Sequence, residues 1–495
     1  MTILFHPGRC GAQVFPKEGS ALYYRLVGFS FPQQKWASKY KIEIATGNYD
    51  NEQVFEKNIV TTVYCPGGKI ITEVPFFGSR YTWRIVFITS DSGRTKSILY
   101  HFSTRTSPDV DTSLTRLRVI KVAEKYKDAY VFVDATRVLY DMKGEPVWFL
   151  PGSDVENRAA YPRDLKLSPA GTITFITGGR PYEIDYNGKI LWHYKGDSAE
   201  ELKDDLEFNH EFERLKNGHY MGLEHEDVCT LLPGFKDSMA HNARDSARFY
   251  DHKKFSRVVE YDDNYREVWS WNSSDYLKTS DLLPYQTADS LFDPNDLHQN
   301  SFYFDEARKS VYFSFRNINR VIKISYTEGT VLSTYGKKYR QGLKDMNNGW
   351  FCGQHSCRVS GEGNLYLYNN NTCDKRGIPT IVMMQQPKAG IGELKKVWEY
   401  QCPVDEALKQ DDKHFNFKVG GNVLELPDRS MFISMGYPGC RLLIVTYGKK
   451  VLWSAIPEKY NTTDKQWEPP MELYRASIIT DKKQLEDLIW KSEKE

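Results

Sequence analysis

The sequence predicts an all-β chain, a six-bladed β-propeller preceded by a small β-sandwich. Three observations predict it. Aromatic residues make up 14% of the 495 positions, and flat rings suit the pleated, half-buried surface of a sheet. Short runs of alternating apolar and polar residues recur between Gly, Ser and Asp turns. A two-part unit also repeats along most of the chain.

Residues 20–105 read as strands only: YYRLVGFSF, YKIEIATG, RYTWRIVFITSDSG and ILYHFSTR. Short strands at this spacing suggest a sandwich. The run around Tyr81–Trp83 followed by FSTR resembles the ending of a fibronectin type III-like module. The polar, Pro-containing SPDVDTS then reads as a linker. The expected division is a β-sandwich over 1–108, a linker over 109–114, a propeller over 115–460 and a tail over 461–495. In the tail, KKQLEDLIWKSEKE sets Leu485, Leu488, Ile489 and Trp490 on one side of a short helix.

One half of the repeat is a strand, a polar turn and usually a Trp: YDMKGEPVWF, IDYNGKILWHY, YDDNYREVWSW, ISYTEGTVLSTYG, LKKVWEY and VTYGKKVLWSA. The other half is a tight hairpin: YKDAYVFVD, LSPAGTITFI, LKNGHYMGL, DEARKSVYFSF, SGEGNLYLY and LPDRSMFISM. The six copies of each alternate. Two hairpins give four strands, which is one propeller blade, and radial closure protects the sheet edges. Irregular spacing places insertions between blades, notably at 228–257 and 272–295. The Trp residues at 148, 192, 269 and 453 read as blade packing.

Charge and composition narrow the function. The 66 Lys and Arg nearly cancel the 65 Asp and Glu, and no basic run appears, which argues against nucleic acid. No apolar stretch reaches the roughly 18 residues of a spanning helix. The start lacks the apolar segment of a signal peptide. Eight cysteines are too sparse for a disulfide scaffold, and their pairing and the redox compartment stay open.

Aligning the hairpins on their turns exposes a histidine pattern. His210 and His355 each lie seven residues before a turn, and His298 about eight before one, so three of eleven histidines fall in one slot of successive blades. Equal slots lie at equal radius, so these imidazoles should converge at one mouth of the channel. Asn300 is two residues after His298 and should point the same way. Arg316 should pair beside His298 across the hairpin. The set is cationic and rich in donors, which suits a tetrahedral oxyanion such as sulfate or phosphate. Arg163 occupies the corresponding slot one blade earlier, and Gly420 and Gly421 occupy it in the last blade, adding room without a donor. Cys352 and Cys357 flank His355 without paired C-x-x-C spacing, so no metal site is assigned. Of the neighbouring His219, His225 and His241, only His225, which could face His210 across its hairpin, is worth following.

The strings DLHQNSFYFD, VYFSFRNINRVIKI and GQHSCRVSGEGNLYLYNNN resemble the arylsulfate sulfotransferase family, and NHEFERLKNGHYMGL fits its earlier histidine strand. Motif order and spacing match over roughly 115–455, and the sandwich in front fits the family layout. The resemblance implies sulfuryl transfer from a phenolic sulfate ester to a phenol, without a nucleotide sulfate donor, a cofactor or a metal. It implies His355 as a nucleophile that becomes N-sulfated, with His298, Asn300 and Arg316 holding sulfate oxygens. His210 would be the acid and base; Arg163, by its slot alone, is a candidate substrate contact. Ping-pong kinetics follow from the split transfer. The partners implied are the aryl sulfate and the phenol, and a homodimer is compatible although no residue announces one. The family implies a periplasmic or secreted protein. Two other readings use the same residues: a non-catalytic propeller binding an anionic ligand or partner, and a sulfate or phosphate ester hydrolase.

Overall fold

The computed structural model describes residues 2–3, 14–107, 110–111, 113–152, 161–194, 208–231, 250–277, 281, 296–336, 349–374, 376–387, 393–410, 416–417 and 419–492. The repeats fold into antiparallel sheets because each tight turn returns one alternating strand onto the last. Six sheets, I to VI in chain order, arise this way among the described residues. Sheet I holds Tyr130–Val133, Val138–Asp141 and Pro146–Phe149, and sheet II runs from Arg163 to His193. Sheet III runs from Phe208 to Asn272, sheet IV from Gln299 to Tyr335 and sheet V from His355 to Gln401. Sheet VI holds the strands from Asn422 to Asn461 and Gln466–Glu468. The first strands of sheets II to VI touch in succession, and the circuit closes from VI through I to II. Middle strands such as Ile173–Thr177, Ser310–Phe315 and Met431–Ser434 are buried throughout, as strands covered on both faces must be.

The outer turns use one repeated chemistry. The Asp141 carboxylate accepts the N–H groups of Lys143 and Glu145 at 2.9 and 2.8 Å, and Asp262 does the same for Asn264 and Arg266 at 2.8 and 2.9 Å. Gly144 sits at φ 93°, where a Cβ would lie 2.0 Å from the Leu117 carbonyl. The Trp after the turn latches onto the next sheet. Trp148 donates to Tyr186 O (2.9 Å), Trp271 to Gly329 O (3.1 Å), Trp398 to Tyr447 O (2.7 Å) and Trp453 to Met142 O (3.0 Å). Trp192 instead stacks on Tyr220, with centroids 3.9 Å apart, and Trp269 packs on Tyr326.

Ahead of the ring, Lys39–Thr46 and Arg80–Ile88 centre a seven-stranded sheet, and Leu26–Ser30 pairs with Lys69–Glu73. This region shares one apolar core with sheets I and II through Tyr24, Trp148 and Tyr186.

Three expectations need correction. Residues 20–105 are not strands only: Glu52–Lys57 is a helix, started by the Asn51 side chain accepting the N–H groups of Gln53 and Val54. The segment 228–257 is not an insertion between sheets, because its described parts extend the middle strands Tyr220–Leu231 and Tyr250–Tyr261 of sheet III. Most of 272–295 lies outside the described residues. The segment 461–495 is more than a tail. Its strand Ala476–Ile479 pairs with Tyr130–Val133 and completes sheet I, while Thr115–Lys121 pairs with Val451–Asn461 at the edge of sheet VI. A four-residue strand with no turn partner nearby carries no repeat signature. The short helix does form, over Lys482–Lys491, with Leu485, Leu488 and Ile489 buried.

Candidate active site

The site is built on irregularities in the inner strands. Pairing slips between Arg163 and Lys166, Asn209 and Phe212, Gln299 and Ser301, and His355 and Arg358, in four successive sheets. A residue at positive φ accompanies each slip: Asp164 (57°), His210 (56°), His298 (52°) and Ser356 (52°). Bulges re-aim side chains, and here they turn the strand starts toward the ring axis. Measured against the slips, His210 lies inside its own, His298 stands one residue before its own, and His355 opens its own, at the position Arg163 and Asn209 hold in sheets II and III. The three histidines are thus not in one register.

They converge nonetheless. The rings of His210 and His298 are 4.8 Å apart, and Tyr474 lies 5.6 Å from His210 and 6.1 Å from His355. Arg316 does sit beside His298, its N–H donating to the His298 carbonyl at 3.0 Å. Asn300 does not follow strand alternation, because it occupies the bulge. Its amide donates to Gln354 O at 2.7 Å and its carbonyl accepts from Arg475 at 2.8 Å, so it ties sheets IV and V together. Arg163 is exposed, its guanidinium 5.2 Å from the Tyr474 ring. A cavity of about 620 Å³ opens among Arg163, His210, His225, Lys254, His298 and Tyr474. His355 is only 1% exposed and lies outside this lining. His219 pairs with Glu260 at 2.7 Å, and His241 lies outside the described residues.

Three site residues were not anticipated. Tyr474, from the segment expected to be a tail, places its hydroxyl 2.7 Å from His210 Nδ1. Asp296 receives the His298 N–H at 2.7 Å and lies 3.2 Å from its Nδ1. Asn370 lies 2.7 Å from His355 Nδ1. Asp296 and Asn370 fall within or beside quoted motifs, whereas nothing near Tyr474 marks it. Gly420 and Gly421 do not leave the room expected of them. Cβ atoms there would meet Tyr474 O at 2.7 Å and the Tyr368 ring at 2.4 Å, so the glycines allow close packing.

The electrostatics also differ from expectation. Burial, reinforced by the positive charge of Arg316, holds His355 well below its ordinary pKa. Burial with His298 and Arg163 nearby does the same for His210, and burial lowers His298 despite Asp296. The imidazoles are neutral near pH 7, and the cationic character resides in the arginines. Burial brings even Arg316 down to about 10, still protonated at neutral pH. Cys352 is bonded to Cys373, and Cys357 is buried and free. No group of three metal-ligating side chains gathers among the described residues. What the site offers is neutral imidazole nitrogen beside fixed positive charge, in a pocket large enough for an aromatic ester.

A family model described as Arylsulfotransferase (ASST) matches residues 115–410. No curated protein matches the chain. Among solved structures, the periplasmic gluconolactonase PpgL of Pseudomonas aeruginosa is 9% identical, covering 89% of this chain and 99% of its own at a TM-score of 0.28. Hydrazine synthase of Kuenenia stuttgartiensis is 14% identical, covering 62% and 92% at a TM-score of 0.30. No helix of the described residues is long and apolar enough to cross a membrane.

Proposed function

This chain belongs to the arylsulfotransferase family, and we propose that it carries a sulfuryl group from an aryl sulfate to a phenol through an N-sulfated His355, on a six-bladed β-propeller preceded by a fibronectin III-like sandwich. Sulfuryl transfer is the family's chemistry. One observation carries the finer reading: imidazoles at the starts of three neighbouring inner strands gather beside Arg316, with the His210 and His298 rings 4.8 Å apart and Tyr474 between them and His355, 5.6 Å from His210 and 6.1 Å from His355.

In this reading the aryl ring occupies the cavity and the sulfate oxygens face Arg316 and His298, while Asn300 holds sheets IV and V together behind them. Arg163 contacts the substrate from the rim. His355 Nε2 attacks sulfur, the bond from sulfur to the aryl oxygen breaks, and its electron pair leaves on that oxygen. His210 delivers the proton that makes the phenol. The anionic ester brings the negative charge that lets a buried His210 hold this proton first. Tyr474 fixes the orientation of His210. An acceptor phenol reverses the steps, which is ping-pong transfer. The Cys352–Cys373 bond supports a periplasmic or secreted location, where disulfides persist.

The test is release of para-nitrophenol from para-nitrophenyl sulfate, with and without added phenol, for the wild type and His355→Ala. Release accelerated by phenol and lost in the variant supports the reading. Release indifferent to phenol would replace it with ester hydrolysis.

A further inference from the structure

Two hydrogen-bond partners face His355 Nδ1, the Asn370 Oδ1 at 2.7 Å and the Gly353 carbonyl at 3.2 Å. A carbonyl oxygen only accepts. The same holds for the Asn370 end, because its amide nitrogen is committed elsewhere: it donates to Phe417 O at 2.7 Å and to Gly420 O at 3.0 Å. Turning the amide over would set its oxygen against two carbonyl oxygens and its NH₂ against the histidine. His355, Asn370, Gly353, Phe417 and Gly420 are all buried, His355 and Asn370 at 1% and 2% exposure, so an unmade bond there is costly. The segment that holds Asn370 cannot retreat either, for Gly421 N–H donates to Tyr474 O at 2.9 Å.

We infer that Asn370 is a positioning residue that keeps the proton of His355 on Nδ1, leaves the lone pair on Nε2, and takes up the positive charge the ring acquires when Nε2 is sulfated. This rests on His355 being the sulfuryl acceptor. As the Nε2–S bond forms and the S–O(aryl) bond breaks, the departing oxygen takes the proton held by His210, and the ring becomes an N-sulfated imidazolium that still carries Nδ1–H. The Asn370 and Gly353 oxygens then accept from a charged donor, a hydrogen bond about twice as strong as a neutral one. The amide also explains what a carboxylate would spoil. The positive charges acting on His355 are those of Arg316 and Arg475, joined by His298 when it is protonated, and all favour the neutral ring. A carboxylate at position 370 would favour the protonated ring, whose Nε2 has no lone pair to give. The amide selects a tautomer without charging it.

The experiment reads the tautomer directly, by nitrogen NMR of the full chain with isotope-labelled histidines. The His355 signal is assigned by its loss in His355→Gln. The expected spectrum at neutral pH has a protonated Nδ1 and a bare Nε2, changing to a tautomer mixture in Asn370→Ala. In turnover with para-nitrophenyl sulfate and phenol, Asn370→Ala should lose about 10²-fold in kcat. Asn370→Asp should move the acid limb of the pH profile upward by roughly 1–3 units. A purely structural role would lower activity at every pH without moving that limb. A protonated Nε2 in the wild type, an unchanged tautomer in Asn370→Ala, or an unmoved limb in Asn370→Asp would overturn the inference. Full transfer by His355→Ala would overturn the underlying function reading, and the wild-type nitrogen spectrum would still decide the tautomer.

Discussion

At the scale of the residue, burial does most of the tuning. His355 and His210 lose water before they gain any partner, and neighbouring positive charges add to that loss, so both pKa values fall below 6.5. A nucleophilic imidazole must be neutral, so the acid limb of kcat/KM for the aryl sulfate should lie below the ordinary histidine value of about 6.5. An acid limb above that value would mean that the free site is less dry or less positive than its geometry implies. The histidines were legible in the sequence because there are only eleven, and Arg163 and Arg316 because the hairpin count sets them at or beside the histidine slots. Asn370 and Tyr474 were not, since each acts through a partner that only the fold supplies. The reading of Asn300 failed for a related reason: strand alternation assumes regular pairing, and the slip between Gln299 and Ser301 removes it.

At the scale of the element, the repeat did more than announce strands. Its Trp is a latch between sheets, and Trp453 closes the ring by donating to Met142 O of sheet I at 3.0 Å. Trp453→Phe keeps most of the packing and deletes the donor. It should cost about 1–3 kcal/mol of stability, with the Met142 carbonyl left unpaired, measured as a lower denaturant midpoint. No loss would mean that water or a neighbour replaces the bond. The repeat could show six alternating units but not the exchange of chain ends at closure. Sheet I is completed by Ala476–Ile479, far away in sequence, and nothing in ASII distinguishes it from an ordinary apolar run. The same exchange places Tyr474 and Arg475 on the axis, which explains why the candidate site was only partly readable.

At the scale of the whole molecule, the axis is held by charge as well as by sheets. The buried Arg475 lies 3.0 Å from Asp164 and 3.5 Å from Glu211, and Glu211 also pairs with Arg358 and accepts the Phe302 N–H at 3.0 Å. Sheets I to V thus share one network beneath the histidines. Arg358 and Arg475 together hold the Glu211 carboxyl far below the usual carboxylate range. Glu211→Gln leaves the buried Arg475 and the largely buried Arg358 short of an anion and should cost about 3–5 kcal/mol, read from equilibrium unfolding; a neutral outcome would assign the axis to packing alone. The pH dependence has a definite sign. Folded Glu211 holds its proton less tightly than the unfolded chain does, and so do folded His210 and His355. Stability should therefore weaken as pH falls through about 6.5 and again below about 4.5. The central claim is the sulfuryl group on His355, and one measurement meets it most directly. The protein is mixed with para-nitrophenyl sulfate without acceptor, quenched in alkali and digested, and the peptides are weighed. One sulfuryl group on the peptide bearing His355, removed by adding phenol before the quench, is the result predicted here. Phenol-dependent transfer with every peptide unlabelled, and with His355→Ala still active, would contradict it.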